Sequence, residues 1–188
     1  MKPAVIIIDM QKDFFRDEPL SKYKEKLVAG VNELLSIARG LDIPVIWVKQ
    51  EYEQDFSDAN LHAKKTNRRI AIRGTGGVEF LEGLNRNTDE AVITKNRYSA
   101  FFKTKLEAEL KRINIDTLVL CGINTHACIR MTAIDAFQRD IEVIIAKDCV
   151  GSWDRRHHDV TYDYFKNNMS IQILSNKEIR KMLEKITG

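Results

Sequence analysis

A chain of 188 residues with 30 Lys and Arg against 27 Asp and Glu carries a formal charge of only +3, too weak a basic bias for a nucleic-acid binder. Hydrophobic residues make up 44% with only 3 Pro, which excludes disordered and collagen-like chains and supplies material for one sizeable core. No apolar run approaches the roughly 20 residues a membrane helix requires. The first run ends at Asp9, without the longer apolar stretch and small-residue cleavage site of a signal peptide. The expectation is a single domain over residues 1–188, cytoplasmic, with no membrane or nucleic-acid partner. Cys121, Cys128 and Cys149 form no C-x-x-C pair and read as reduced thiols rather than a disulfide framework.

In chain order, short β-branched runs at residues 5 to 8, 44 to 48, 91 to 94, 117 to 121, 142 to 146 and 170 to 174 predict strands. Between and after them, helical spacing predicts helices over about 21 to 40, 104 to 112, 126 to 139, 155 to 168 and 176 to 186. The strands are nearly continuous apolar runs rather than alternating ones, so both faces of their sheet should be covered. The pattern predicts an α/β fold with three α/β/α layers and a mainly parallel sheet of about six strands. Residues 49 to 75 break the rhythm: they are polar, charge-rich and weakly periodic, as functional loops often are.

In open α/β sheets the ligand crevice lies beyond the carboxyl ends of the strands, which draws attention to the reactive residues just after them. Asp9 closes the first run, Lys95 closes the third, and Cys128 follows the fourth through Gly122-Ile123-Asn124-Thr125-His126-Ala127. Helical spacing after Ala127 puts Cys128 in a first turn, where a helix N-terminus should lower its pKa and unpaired backbone N–H groups could hold an oxyanion. Singly, each residue has an ordinary reading: a buried thiol packing as a small hydrophobe, an Asp capping a turn, a solvated lysine. Together they supply a nucleophile, a base and a cation that favours the thiolate. Cys121, inside an apolar strand, and Cys149, in a turn after a strand, read as structural.

The segments Asp9-Met10-Gln11-Lys12-Asp13-Phe14, Arg73-Gly74-Thr75-Gly76-Gly77-Val78-Glu79, Lys95-Asn96-Arg97-Tyr98-Ser99-Ala100-Phe101 and Gly122 through Arg130, followed by Thr132-Ala133-Ile134-Asp135-Ala136, resemble the isochorismatase-like cysteine hydrolases, a family that includes N-carbamoylsarcosine amidohydrolase-like and nicotinamidase-like enzymes. The resemblance implies a Rossmann-like sheet of order 3-2-1-4-5-6 and a catalytic Asp9, Lys95 and Cys128. It also implies a cis peptide at Ile123-Asn124 and an oxyanion hole from the N–H groups of Asn124 and Cys128. The implied reaction is hydrolysis of a small amide or carbamoyl compound through a Cys128 thioester, with no cofactor. The implied assembly is a homo-oligomer, dimer or higher. Phe14, Gln11, Tyr98, Phe101 and Arg73 are the expected substrate-binding residues. A vinyl-ether hydrolase of the isochorismatase type and a catalytically silent binding or thiol-redox member are the alternatives.

The metal motif of nicotinamidase-like members, Asp-x-His with a second His, is missing; Asp58 and His62 have the wrong spacing, so no metal is expected. His126 offers a rival base for Cys128, but side chains two residues apart at a helix start diverge. His157 and His158 read as structural, in the first turn of the fifth helix. The stretch Gly74 to Gly77 lacks a full phosphate-binding fingerprint. The basic cluster Lys64, Lys65, Arg68, Arg69 and Arg73 is either a solvated surface or subunit contact, or a means of attracting an anionic substrate.

Overall fold

The computed structural model describes residues 1–187. Six strands form one parallel sheet of order 3-2-1-4-5-6: β1 (Pro3–Ile8), β2 (Val45–Gln50), β3 (Ala91–Lys95), β4 (Thr117–Ile123), β5 (Glu142–Gly151) and β6 (Gln172–Leu174). The helices are α1 (Leu20–Gly40), α2 (Leu61–Thr66), α3 (Leu106–Arg112), α4 (Arg130–Phe137), α5 (Arg155–Met169) and α6 (Asn176–Thr187).

Side chains alternate across a strand, so the unbroken apolar run of β1 feeds two cores at once. Val5 and Ile7 pack with Leu27, Val31, Leu34 and Leu35 of α1 and with Ile179 and Leu183 of α6. Ala4, Ile6 and Ile8 pack on the other face with Leu106 and Leu110 of α3, Ala133 of α4 and Phe165 of α5. This is the three-layer arrangement expected from the strand pattern.

Strand β5 departs from expectation. It runs through Gly151, so Cys149 lies inside a strand and not in a turn. Its register with β4 passes from Leu120↔Ile145 to Gly122↔Val150, so a bulge absorbs Ala146 to Cys149 opposite Cys121 alone. The polar pair within that bulge, which reads in sequence as a strand end, holds α6: Lys147 pairs with Glu178, and Asp148 accepts from the Asn176 N–H at 2.8 Å.

Gly122 lets β4 approach β1. Its φ is +107°, and a Cβ there would lie 2.0 Å from the Ile8 carbonyl oxygen. Only glycine tolerates both conditions. The two strands whose ends carry Asp9 and Cys128 are thereby adjacent at the point where the strand order reverses.

Candidate active site

Asp9 follows β1 directly in the left-handed region at φ 55°, a conformation Asp adopts more readily than most residues. Its N–H donates to the Val48 carbonyl at 2.9 Å, anchoring the turn to β2. Lys95 ends β3, two strands away, in register with Gln50 of β2. Its side chain crosses that interval, and Nζ donates to Asp9 Oδ2 at 2.7 Å, to Gln50 Oε1 at 3.2 Å and to Cys128 Sγ at 3.4 Å. The Lys95 and Asp9 side chains are 0% and 1% exposed, so the pair is held out of water.

Cys128 sits in a π-helical turn, Thr125–Ile129, that runs into α4. The Ala127 and Ile129 N–H groups both donate to the Asn124 carbonyl, and Thr125 Oγ1 donates to the Gly151 carbonyl at 3.0 Å, tying the turn to β5. The Ile123-Asn124 peptide is cis. Asn124 Oδ1 accepts from the Trp153 N–H, and the Asn124 N–H donates to no backbone or side-chain acceptor among the described residues.

The electrostatics correct the expected acidic thiol. Burial, then the Asp9 carboxylate, pushes Cys128 up to about 12, against the pull of Lys95. Position at a helix start is outweighed by desolvation, so the thiol rests protonated. Burial also raises Asp9 above the ordinary carboxylate range, with Lys95 opposing. Burial pulls the Lys95 ammonium down, but Asp9 and Cys128 more than offset it and the direction is up. Asp9 Oδ2 is held by Lys95, whereas Oδ1 is buried and unpartnered.

Above this cluster lies a cavity of about 280 Å³ whose base is Cys128 and whose walls include Phe14, Tyr98, Met131 and Trp153. Phe14 and Tyr98 thus fall where the sequence placed them. Three other expected substrate residues do not line it. Gln11 is fully buried and clamps β2, its amide donating to the Gln50 and Val78 carbonyls while its Oε1 accepts the Gln50 N–H. Phe101 is a core residue of the α3, α4 and α5 face, covered by Arg139 at 4.8 Å. Arg73 turns outward to Glu51 and Glu53.

Sequence reading missed Gln50, Tyr52 and Asn60, which line the same cavity. Gln50 Nε2 donates to the Tyr52 hydroxyl at 2.9 Å, Asn60 Nδ2 donates to it at 2.6 Å, and Asn60 Oδ1 caps α2 by accepting the Ala63 N–H. A buried chain of polar groups therefore runs from Lys95 into the 49 to 75 segment, which is anchored and carries a short helix. Nothing in sequence distinguishes a Gln at a strand end or an Asn in a polar loop as such a link.

His126 and His158 fall as expected, whereas His62 lies in α2 on the cavity wall. His126 turns away from the thiol, its Nδ1 lying 2.6 Å from Ser152 Oγ. Ser152 Oγ also donates to the Asp154 carbonyl at 2.9 Å. His158, in the first turn of α5, contacts Thr125 Oγ1 at 3.0 Å. His62 lines the cavity, but the Asp58 carboxylate is occupied by the Glu53 N–H and the Asn96 amide.

Fold, motif order and site geometry define a member of the isochorismatase family: the Isochorismatase domain matches residues 3–177, and the chain belongs to this family of hydrolases. It is 32% identical over 164 residues to a maleamate amidohydrolase of Pseudomonas putida, covering 84% of this chain and 75% of that protein. A probable inactive nicotinamidase of Arabidopsis thaliana is 35% identical over 144 residues, 73% of this chain and 74% of that one. The solved structure of N-carbamoylsarcosine amidase from Thermoplasma acidophilum superposes with a TM-score of 0.82 at 26% identity, over 95% of this chain and 98% of that one.

Proposed function

We propose that this protein is a cysteine amidohydrolase acting on a small amide or carbamoyl compound, with Cys128 as nucleophile, Asp9 as base and Lys95 as the cation between them. The observation that carries the reading is Lys95 Nζ, which is buried and contacts both Asp9 Oδ2 and the Sγ of Cys128, a residue that lines the cavity. Amide-hydrolysing relatives of both kinds named above support the substrate class.

The resting cluster carries one cation, one carboxylate and a neutral thiol. Moving the thiol proton to Asp9 Oδ1 turns it into one cation, one thiolate and a neutral acid. Net buried charge is unchanged, so the transfer avoids the cost of creating an uncompensated ion out of water. The raised pKa of Asp9 brings it closer to the operating pH, as a general base requires. Sγ attacks the carbonyl carbon as the proton leaves, so no standing thiolate is needed. The N–H groups of Asn124 and Cys128 receive the oxyanion. Asp9 returns its proton to the departing amine, and water, deprotonated by the same carboxylate, cleaves the thioester.

The proposed chemistry uses only these side chains and no metal. The test is ammonia release from a panel of small primary amides and carbamoyl acids by wild type and Cys128→Ser, before and after chelator treatment. Release by wild type that survives chelation and is lost in Cys128→Ser supports the reading. Loss of activity on chelation, restored by metal, overturns the metal-independent mechanism, and undiminished release by Cys128→Ser overturns the nucleophile assignment.

A further inference from the structure

The two amides that hold the Tyr52 hydroxyl have no freedom to turn over. Gln50 Oε1 accepts from the Lys95 ammonium, which can only donate, so the Gln50 amide presents Nε2 to Tyr52. Asn60 Oδ1 accepts the Ala63 N–H, which fixes Asn60 Nδ2 toward the same hydroxyl. Two donors therefore converge on Tyr52 Oη and fill its acceptor capacity. Its own proton is left to donate, and no acceptor takes it among the described residues.

That proton belongs to the cavity over Cys128. The Tyr52 ring is anchored behind the wall, edge-on to Phe56 at 5.5 Å and packed with Ala59 and Ala63, so the hydroxyl is the end that reaches forward. Gln50 and Asn60, the two residues bonded to it, line the cavity together with Tyr52. His62, Arg68 and Tyr98 on the same walls are exposed and meet solvent, whereas Tyr52 is 1% exposed. The amide oxygens around it are already engaged: those of Gln50 and Asn60 as described, and Asn124 Oδ1 by the Trp153 N–H. Burial pushes the phenol up to about 12, so it keeps its proton. A buried donor without a partner is destabilising, and a bound molecule that supplies an acceptor relieves it.

We infer that Tyr52 is a specificity-determining residue: its O–H donates to an acceptor atom on the acyl chain of the bound substrate, and Gln50 and Asn60 aim it by filling its oxygen. This rests on the amidohydrolase reading and deepens it. A tyrosine hydroxyl ordinarily gives and accepts hydrogen bonds. This one only gives, so the wall favours an ether or carbonyl oxygen over a methylene or an amine N–H in that place.

The test pairs amides of matched shape, methoxyacetamide with butanamide and β-methoxypropionamide with pentanamide, scored by ammonia release. Wild type should favour the ether in at least one pair by about fivefold or more in kcat/KM, the effect of leaving one buried donor unpaired. Tyr52→Phe should bring that ratio toward one. Asn60→Asp keeps the tyrosine and an oxygen for the Ala63 N–H, but puts a second oxygen where Nδ2 stood, 2.6 Å from the hydroxyl. It should capture the proton and bring the ratio toward one as well, which keeps the test intact if Tyr52→Phe fails to fold. Tyr98→Phe, which removes the other phenol on the walls, should leave the ratio unchanged. A merely structural role, acting through Gln50 on Lys95, would lower kcat for both members of a pair alike and preserve the ratio.

Calorimetry of the same amides with Cys128→Ala protein and its Tyr52→Phe counterpart reads the contact without turnover. An ether preference that is absent from turnover, or that survives Tyr52→Phe and Asn60→Asp, overturns the inference and leaves the amidohydrolase standing. Ether-selective binding that depends on Tyr52, without ammonia release by wild type, supports the contact and overturns the hydrolysis. Equal binding of ether and hydrocarbon, or binding of neither, overturns the contact.

Discussion

Lys95 Nζ and Asp9 Oδ2 are 2.7 Å apart and out of water although their strands, β3 and β1, are separated by β2. The contact exists because Gln50, in register with Lys95, caps the intervening strand and accepts a hydrogen bond from the same ammonium. One buried ion pair thus joins three strand ends and points its cation at the thiol.

Removing one partner of a buried pair strands the other, at a typical cost of about 3 to 5 kcal/mol, whereas removing both charges can be nearly neutral. Lys95→Met should therefore lower Tm more than the Asp9→Asn, Lys95→Met double variant. Calorimetric melts of the three proteins check this, and additive losses would contradict it.

Asp9 and His126 compete for the role of base, and geometry favours Asp9. Asp9→Asn should reduce kcat by about 10²- to 10⁴-fold, the usual worth of a positioned base. His126→Ala, whose ring is bound to Ser152, should retain most turnover. Steady-state rates on any amide the wild type hydrolyses decide between them.

Gly122→Ala should abolish soluble protein or lower Tm steeply. The new Cβ meets the Ile8 backbone at a φ that disfavours every other residue. The strain falls between the two strands that carry Asp9 and Cys128, so surviving protein should also lose activity. Expression yield and melting temperature read the effect.

His158 is held below the imidazole value of 6.5 chiefly by burial, while it contacts Thr125 of the π-helical turn. Its folded pKa is depressed, so its contribution is fully present above 6.5 and is lost as pH falls below it toward the folded pKa. His158→Gln should flatten the decline in Tm below pH 6.5. An unchanged pH profile would remove His158 as its source.

Much of the fold was legible because parallel strands buried on both faces are continuous β-branched runs, and those between residues 5 and 174 each correspond to a strand. The extra length of β5 was not, since Lys147 and Asp148 interrupt the apolar pattern and only the fold shows that they brace α6. Asp9, Lys95 and Cys128 could be picked out because reactive residues after strand ends share one edge of the sheet. Direction was hidden: Gln11 and Phe101 sit in the same segments as Phe14 and Tyr98, yet turn into the protein. The acidity of Cys128 was misread because sequence shows a helix start but not the desolvation that overrides it.

The central claim is that Asp9, Lys95 and Cys128 act as one electrostatic unit. Alkylation of each cysteine by iodoacetamide from pH 5 to 9, read by peptide mass spectrometry in wild type, Asp9→Asn and Lys95→Met, tests it most directly, with Cys121 and Cys149 as internal controls. With Cys128 pushed up to about 12, its rate should climb through pH 9 without a plateau. Asp9→Asn removes the base that takes the thiol proton during attack and should slow the reaction; Lys95→Met removes the cation that favours the thiolate and should slow it too. Cys128 rates that respond to neither substitution, while its fellow thiols behave alike in all three proteins, would contradict the claim.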